Sequence, residues 1–460
     1  MMKGISIVLL TVLCGSLLAA DGTDQRKAQP QGGLLTERPP ADARALFPGS
    51  VQLTQREMDR LILPRAGEAQ VFPSIDRFIG NQAEPLQFRQ VSLFAKGARI
   101  RVIAQGEATE QKRPNRQYFL ANNATTGVGL AVDSTSGRVS GFVARSGDQL
   151  KIEGGIVTQL HFREIEQVEE GSNSCANSQQ DLSLGMPQVE ASSLFTSASA
   201  AETGEVISYQ AVVAVDTDTE WLDGFGDDTD AALNWIVDLF LAMNVFYERD
   251  VETQLLIGDV FLRTGSDSYS VQSNRSEQLN EFGEYWMNNM GDVERQFAAM
   301  FSGRNIHPTA FSGIAWINLY CENGFWANGG TVVAGSFSYN AIGSARTPAN
   351  TALFVGHEIG HNMGSPHTHC YSPAVDQCYN GEGGCYGGAV QCPASGKGTI
   401  MSYCHVGVTY GGAGCGISNS EFHPTVQARL EGRLADELVA GCIIPYAELT
   451  DTIFQSSFEN

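Results

Sequence analysis

The chain has 460 residues, of which 42% are hydrophobic and 17% charged, and its 29 Lys and Arg side chains are outnumbered by 51 Asp and Glu for a formal net charge of −22. This length and mixture exclude a disulfide miniprotein, a collagen and a wholly disordered chain, and they favour about two to three domains. Because so acidic a surface repels phosphate groups, we expect no binding to nucleic acid or anionic lipid.

Residues 1–20 (MMKGISIVLLTVLCGSLLAA) have the features of a signal peptide. Lys3 supplies the positive start, a short apolar run follows, and two alanines end the segment. The run is shorter than the roughly 20 residues that a membrane-spanning helix needs. No later stretch looks long and apolar enough to cross a membrane. We therefore expect a secreted, extracellular protein without a membrane span.

Two regions of different pattern follow the signal peptide. In residues 21–204, short alternating runs such as TTGVGLAVDS and VSGFVARSG predict a mainly β domain, and the Ser, Asn, Gln and Ala of residues 171–204 indicate a linker. In residues 205–445, strands such as YQAVVAVD and TVVAGSF alternate with amphipathic helices, one of them opened by Ser276 as N-cap. Such alternation predicts an α/β domain. Residues 446–460 form a C-terminal tail.

Charge divides at the same boundary. Residues 21–204 hold 19 basic and 21 acidic side chains, whereas residues 205–445 hold 9 and 27. One interpretation is two independently soluble domains. The other is that an arginine-bearing N-terminal domain docks on an acidic catalytic domain.

The cysteines cluster near the C-terminus. In an exported chain an even, clustered set predicts disulfides, although eight cysteines permit too many connectivities for pairs to be assigned. A structural zinc cluster would need C-x₂-C pairs, which the sequence lacks. The clustered residues are Cys321, Cys370, Cys378, Cys385, Cys392, Cys404, Cys415 and Cys442.

Residues 357–367 read HEIGHNMGSPH and carry the pattern of a metal site. His357 and His361 are four residues apart, so on a helix with Asn350 as its N-cap they share one face. Gly364 lets the chain leave that helix, which would bring His367 back as a third ligand. Three imidazoles leave the fourth position of a tetrahedral Zn²⁺ ion open for water, as in catalytic sites.

Glu358 follows the first of these histidines and is not needed as a ligand. Zinc lowers the pKa of bound water to about 7, so a neighbouring carboxylate can take the proton during attack on a carbonyl group. The same carboxylate can then deliver the proton to the leaving amine. Glu358 is therefore the predicted general base.

The motif HExxHxxGxxH, followed by GTIMSYCH with Met401, resembles the metzincin metallopeptidases. The resemblance implies that Met401 forms a hydrophobic floor under the zinc. Stretches from YQAVVAVDTDTEW to GHEIGHNMGSPH look like the reprolysin (adamalysin) group over residues 205–445. This implies a twisted five-stranded sheet, an active-site helix and a disulfide-rich lower subdomain. It also implies endopeptidase activity on proteins or peptides, with TVVAGSF as the edge strand that pairs with substrate.

Two residues depart from the reprolysin pattern. Thr368 stands where reprolysins usually carry Asp, so the hydrogen bonding behind the third histidine is expected to differ. Tyr403 lies two residues after Met401, as in astacins and serralysins, where such a tyrosine approaches the zinc. Tyr403 is thus a candidate stabiliser of the oxyanion, or else a packing residue. An astacin- or serralysin-like subgroup is the resulting alternative.

The N-terminal domain resembles, more distantly, a reprolysin propeptide, on the stretches VSGFVARSGDQLKIEG and LHFREIE. This resemblance implies a precursor inhibited by its own propeptide, in which an unpaired cysteine occupies the open zinc position. Cys175 is the odd cysteine upstream of the catalytic domain and is the candidate switch, since thiolate binds zinc strongly. An incidental or intermolecularly paired cysteine is the alternative.

The remaining candidates are interpreted as structural. His161, His307, His369, His405 and His423 lie outside the motif, and we expect surface or satisfied core histidines. The acidic run from Asp216 to Asp230 could offer calcium ligands, but it lacks EF-hand spacing and is better interpreted as a solvated face. The sequence thus predicts a secreted zinc metalloendopeptidase. The alternative from another class is a non-catalytic adhesin with a structural zinc, against which Glu358 argues.

Overall fold

The structure of the protein is a computed structural model that describes residues 51–52, 86, 88–135, 138–145, 148–153, 156–159, 208–272, 274–416 and 418–446. The predicted signal peptide, the linker with Cys175, and the tail after residue 446 lie outside the described residues. The mixed α/β class predicted from the sequence is confirmed.

Nine strands precede the linker within the described part of the chain. Seven of them form an antiparallel sheet, here called the N-terminal sheet, with the order β1-β9-β8-β7-β6-β5-β2. The other two, β3 and β4, form a hairpin outside it. The strands are β1 Val51–Gln52, β2 Arg89–Val91, β3 Ile100–Ala104, β4 Glu107–Gln111, β5 Arg116–Asn123, β6 Thr126–Asp133, β7 Val139–Arg145, β8 Asp148–Glu153 and β9 Ile156–Gln159.

Strands and helices alternate after the linker, as predicted. The strands are β10 Tyr209–Thr217, β11 Thr253–Thr264, β12 Phe297–Ser302, β13 Phe311–Ala315, β14 Phe325–Ala327, β15 Val332–Ala334, β16 Phe337–Ile342 and β17 Ile444–Pro445. The helices are α1 Thr219–Asp223, α2 Thr229–Val251, α3 Arg275–Asn289, α4 Pro348–Asn362 and α5 Pro424–Ala440.

The second sheet, here called the central sheet, crosses the predicted domain boundary. Its order is β13-β16-β12-β10-β11-β3-β4, with β17 paired to the start of β10. The middle strands run parallel, and β13 is antiparallel to β16. The hairpin β3-β4 comes from before the linker and extends the sheet beyond β11. Residues 21–204 and 205–445 therefore build one sheet together.

The prediction that TVVAGSF forms the edge strand is wrong, because this run is split between two elements. Its first half is β15, which pairs with β14 in a separate hairpin. Its last residue, Phe337, begins β16 inside the central sheet. Gly335 marks the break, since a Cβ atom there would come within 2.3 Å of the Phe337 ring. Among the described strands, β13 is the terminal strand on this side of the sheet.

The helix starts differ from the predicted ones by a few residues. Helix α4 begins at Pro348 with Thr347 as N-cap, so Asn350 is not the cap. Instead its Oδ1 accepts a hydrogen bond of 2.9 Å from the Thr347 N–H. Helix α3 is capped by Asn274 rather than by Ser276. In α4 the cause is the proline, which favours the first helical position and fixes the cap before it.

The expectation that no stretch after the signal peptide is long and apolar enough to cross a membrane is wrong for helix α2. By length and composition it is able to do so, but most of it is buried. It lies between the two sheets, against β5, β6 and β7 on one side and β11 on the other, and it also contacts α4. We therefore interpret α2 as the central core helix.

The disulfide prediction is confirmed. All eight clustered cysteines are paired, and three of the four bonds lie in the region that follows α4. The pairs are Cys321–Cys442, Cys370–Cys385, Cys378–Cys404 and Cys392–Cys415.

Candidate metal centre

The structure brings the three motif histidines together. His357 and His361 lie one helical turn apart on α4, with ring centroids 4.6 Å from each other. The chain then turns at Gly364, whose φ of 112° suits glycine and whose position against Asn318 leaves no room for a side chain. After this turn His367 returns, so that its Nε2 lies 3.1 Å from Nε2 of His361. All three imidazoles are buried.

The outward nitrogens of the three rings have hydrogen-bond acceptors. Nδ1 of His357 lies 2.6 Å from the carbonyl oxygen of Ile400, and Nδ1 of His361 lies 2.7 Å from that of Ser365. Nδ1 of His367 lies 2.7 Å from Oε2 of Glu382. These acceptors require N–H at Nδ1, which leaves the lone pair on each Nε2.

The electrostatics of the cluster keep the rings neutral. Burial, together with the neighbouring His361, lowers the pKa of His357 well below its usual range. Burial lowers the pKa of His361 to about 3 and that of His367 to about 4. The buried Nε2 of His357 has no hydrogen-bond partner among the described residues. Three neutral imidazoles with convergent lone pairs, one of them orphaned, fit the donor set of a Zn²⁺ ion.

Glu358 belongs to α4, and its side chain lies against the edge strand β13. Its side chain is fully buried. A Cβ atom added to Gly313 of β13 would come within 2.6 Å of its Oε1, so only glycine at 313 allows this approach. The carboxyl group therefore stands at the edge of the sheet, next in sequence to His357.

Met401 lies beneath the helix that carries the first two histidines. A Cβ atom on Gly360 would come within 2.6 Å of its Sδ atom, so the sulfur packs directly on the helix backbone. The Met401 carbonyl accepts hydrogen bonds from the N–H and the hydroxyl of Thr368, at 3.0 and 3.3 Å. Thr368 thereby joins the third histidine to the turn that contains Met401.

Tyr403 packs against the histidine cluster. Its ring centroid is 4.0 Å from that of His367 and 6.1 Å from that of His357. His405 is a further neighbour, with ring centroids 6.0 Å apart. Burial lowers the pKa of His405 to about 4. The tyrosine therefore contributes to the wall of the site, beside the third histidine.

Glu382 is a site residue that the sequence reasoning missed. Its Oε2 accepts from Nδ1 of His367 and, at 2.9 Å, from Nε2 of His369. Burial alone would raise the pKa of Glu382, but the hydrogen bonds from both histidines outweigh it and hold the pKa at about 2. His369 is thus a buried core histidine bonded to a carboxylate. The loop closed by Cys370–Cys385 contains Glu382, but no spacing rule connects that loop to the motif.

The solvated face expected of the acidic run forms only in part: Asp223, Asp227, Asp228 and Asp230 are exposed, whereas the start of the run is buried. Asp216 is fully buried and accepts from Arg263 at 2.7 and 2.8 Å and from the hydroxyl of Tyr269 at 2.7 Å. Asp218 caps α1, and burial raises its pKa to about 7. Because the run begins at the buried end of β10, these carboxylates are already committed to protein donors.

The similarity to known proteins agrees with this chemistry. Residues 208–411 match the profile of the family described as Reprolysin_5, Metallo-peptidase family M12. The matched segment contains the three histidines, Glu358, Glu382, Met401 and Tyr403. It supports a metallopeptidase, and with it a bound metal of the kind such enzymes use, which is typically zinc.

Two solved structures show distant similarity. One is titled "Crystal Structure of metalloproteinase-II from Bacteroides fragilis": it is 8% identical, covers 77% of this chain and 89% of its own, and has a TM-score of 0.34. The other is titled "Structure of a chaperone-substrate complex": it is 14% identical, covers 49% of this chain and 38% of its own, and has a TM-score of 0.30. TM-scores this low carry no argument here. No curated protein sequence matches the chain.

Proposed function

We propose that the protein is a secreted zinc endopeptidase of the reprolysin-like metzincin group that is made as a precursor. The observation that carries this proposal is the convergence of three neutral imidazoles beside a buried carboxyl group at a sheet edge. In this assignment His357, His361 and His367 hold one Zn²⁺ ion, and Met401 supports it from below.

When bound, zinc supplies Lewis acidity, which polarises a substrate carbonyl and lowers the pKa of water. Glu358 acts as general base toward the attacking water and then returns the proton to the leaving amine. Tyr403, beside the third ligand, stabilises the negative charge that develops on the carbonyl oxygen. The acceptors on the three Nδ1 atoms hold the imidazoles in the tautomer that this arrangement requires.

The edge strand β13 is the proposed binding surface for substrate backbone. An extended peptide can add to an exposed strand through main-chain hydrogen bonds. Gly313 lies in the middle of β13 and touches Glu358, so a peptide bond paired along this strand would lie next to the general base. In this proposal β13 has the substrate-pairing role that the sequence predicted for TVVAGSF.

The precursor proposal concerns Cys175, which lies outside the described residues. Its thiolate would occupy the open metal position until the chain is cut, which makes the linker the inhibitory segment. Cys175→Ser should then give a precursor that activates prematurely. An activation rate equal to that of the wild type would count against the switch.

The decisive experiment compares Glu358→Ala with the wild-type protein after processing. We expect casein cleavage by the wild type, its loss on adding a zinc chelator and its return on adding zinc. Glu358→Ala should keep its zinc content and melting temperature but lose turnover by at least about 10²-fold. Glu284→Ala, which removes an exposed glutamate from α3, is the matched control and should cleave normally.

Two rival assignments predict other results. An adhesin with a structural zinc would show no chelator-sensitive cleavage in any variant. An astacin- or serralysin-like subgroup is favoured by the contact of Tyr403 with His367. Because the mechanism above already gives Tyr403 a role at the oxyanion, Tyr403→Phe should lower kcat strongly in either subgroup while zinc content and KM stay unchanged. If Tyr403 is only a packing residue, kcat will be unaffected.

A further inference from the structure

The N-terminal region supplies a strand that continues the central sheet. Strand β3 pairs in parallel with β11 over five residue pairs, from Ile100 opposite Val260 to Ala104 opposite Thr264. The pairing begins earlier, where the N–H of Ala95 donates to the carbonyl of Ile257 at 2.9 Å. Without residues 88–111, one side of β11 would lose its hydrogen-bond partners, which is costly for a buried strand.

The N-terminal sheet also completes the surroundings of the core helix α2. The backbone of β6 approaches this helix so closely that a Cβ atom on Gly127 would lie 2.6 Å from Cγ1 of Val245. One on Gly129 would lie 2.9 Å from Cγ of Leu241. Leu241 and Val245 are 1% and 0% exposed, and they share one hydrophobic cluster with Phe142 of β7. Removal of the N-terminal sheet would expose this apolar face to water.

Ion pairs follow the same interface. Arg89 pairs with Glu248 on α2, whose side chain is fully buried. Arg116 pairs with Asp238 at 2.9 Å, and Arg101 with Asp259 at 2.9 Å. In each pair the arginine precedes the linker and the acid follows it. These contacts agree with the interpretation that an arginine-bearing domain docks on an acidic one. Separation would leave the buried Glu248, the largely buried Asp259 and the partly exposed Asp238 without these arginines.

The hairpin β3-β4 lies away from the candidate metal centre. Glu358 touches β13, the terminal described strand at one side of the central sheet, whereas β3 joins at the other side. Five strand spacings of about 4.8 Å place these two strands roughly 24 Å apart. The hairpin can therefore stay in place without covering the strand proposed for substrate.

We propose that residues 88–159 are a permanent part of the folded protein, and that a cut in the linker yields two chains held together by this interface. The partner of the α2 and β11 surface is thus the chain's own N-terminal segment, before and after processing. Activation would release the linker and retain the N-terminal sheet. This inference does not rest on the proposed peptidase function, because its readout is association of the two fragments.

The test uses the full chain with a recognition sequence for a specific protease placed between residues 171 and 204. After cutting, the fragments should elute together from a size-exclusion column in native buffer at micromolar concentration, and should separate only in denaturant. Separation in native buffer, whether the C-terminal fragment stays folded or aggregates, would overturn the proposal.

A charge-reversal series tests the interface residue by residue. Arg116→Glu should raise the dissociation constant of the cut complex at least about tenfold. Asp238→Arg added to it should recover part of that loss, because the pair is restored with reversed signs. Arg138→Glu changes an exposed arginine directly before β7 and is the matched control. If Arg116→Glu and Arg138→Glu have equal effects, affinity does not come from this ion pair and that step of the proposal is refuted.

Discussion

Glu382 offers the sharpest test of how the site is built, because one of its oxygens serves two histidines. Oε2 lies 2.7 Å from Nδ1 of His367 and 2.9 Å from Nε2 of His369. A carboxylate in this position fixes the tautomer of the proposed ligand and increases its basicity. Glu382→Gln keeps the size and one acceptor oxygen but removes the charge. We therefore expect weaker zinc binding with little loss of folding.

The magnitude follows from the two contacts. Hydrogen bonds to an ionised acceptor are about twice as strong as neutral ones, with net values of about 1.5–3 against about 1 kcal/mol. Loss of the charge should thus cost about 1–3 kcal/mol of binding free energy. Since 1.4 kcal/mol corresponds to about tenfold, the dissociation constant for zinc should rise about 10–100-fold.

The assay is competition for zinc between the metal-free protein and a coloured chelator, with the melting temperature of the metal-free protein measured alongside. Asp376→Asn is the matched control, because Asp376 lies in the same disulfide loop and its Oδ1 accepts a hydrogen bond from the N–H of Cys378. A dissociation constant within about twofold of the wild type in Glu382→Gln, at unchanged melting temperature, would refute the positioning role.

Three further results are expected. Burial, partly offset by Arg89, raises the pKa of Glu248 from 4.5 to about 7, so the folded protein binds the extra proton between these pH values. The free energy of unfolding should therefore fall by roughly 3 kcal/mol as the pH rises from 4.5 to 7, and urea titrations should show a smaller fall in Glu248→Gln. Gly360→Ala should destabilise by about 1–3 kcal/mol, since its Cβ would meet a sulfur at 2.6 Å, whereas Gly432→Ala on α5, where a Cβ meets nothing, should stabilise slightly. Gly313→Ala should lower turnover at unchanged zinc affinity, because its Cβ would meet Glu358. Full turnover would show that the close approach of β13 to the general base does not matter for catalysis.

The parts of the site that sequence reasoning could predict are those whose geometry is local. His357 and His361 share a helix face because four residues make about one turn, and the glycine at 364 leaves the helix where a positive φ is needed. These relations hold inside a segment of eleven residues, so spacing alone is sufficient to bring His367 near the other two.

The errors arose where a pattern has more than one structural solution. The run TVVAGSF is mostly apolar, and such a run does not reveal whether it forms one strand or two, nor which strand lies at the edge. In a parallel sheet, spatial neighbours are not neighbours in sequence, so the edge position of Phe311–Ala315 depends on the order of all the strands. The same holds for Glu382. The sequence shows a glutamate at this position, but its contact with His367 depends on the path of the loop closed by Cys370–Cys385.

Strand β3 shows most clearly what composition can and cannot say about domains. The Ser- and Asn-rich composition before residue 205 predicts a linker, and with it a place where the chain could be cut. It contains no information about which segments share a sheet: Val102 pairs with Leu262, 160 positions further along the chain. In β3, Ile100 is buried, the next three residues are partly buried and Ala104 is exposed, a pattern that suits a strand near the rim of any sheet. A linker in the sequence thus marks a place for cleavage, while the strand pairing and the buried acids decide whether cleavage separates anything.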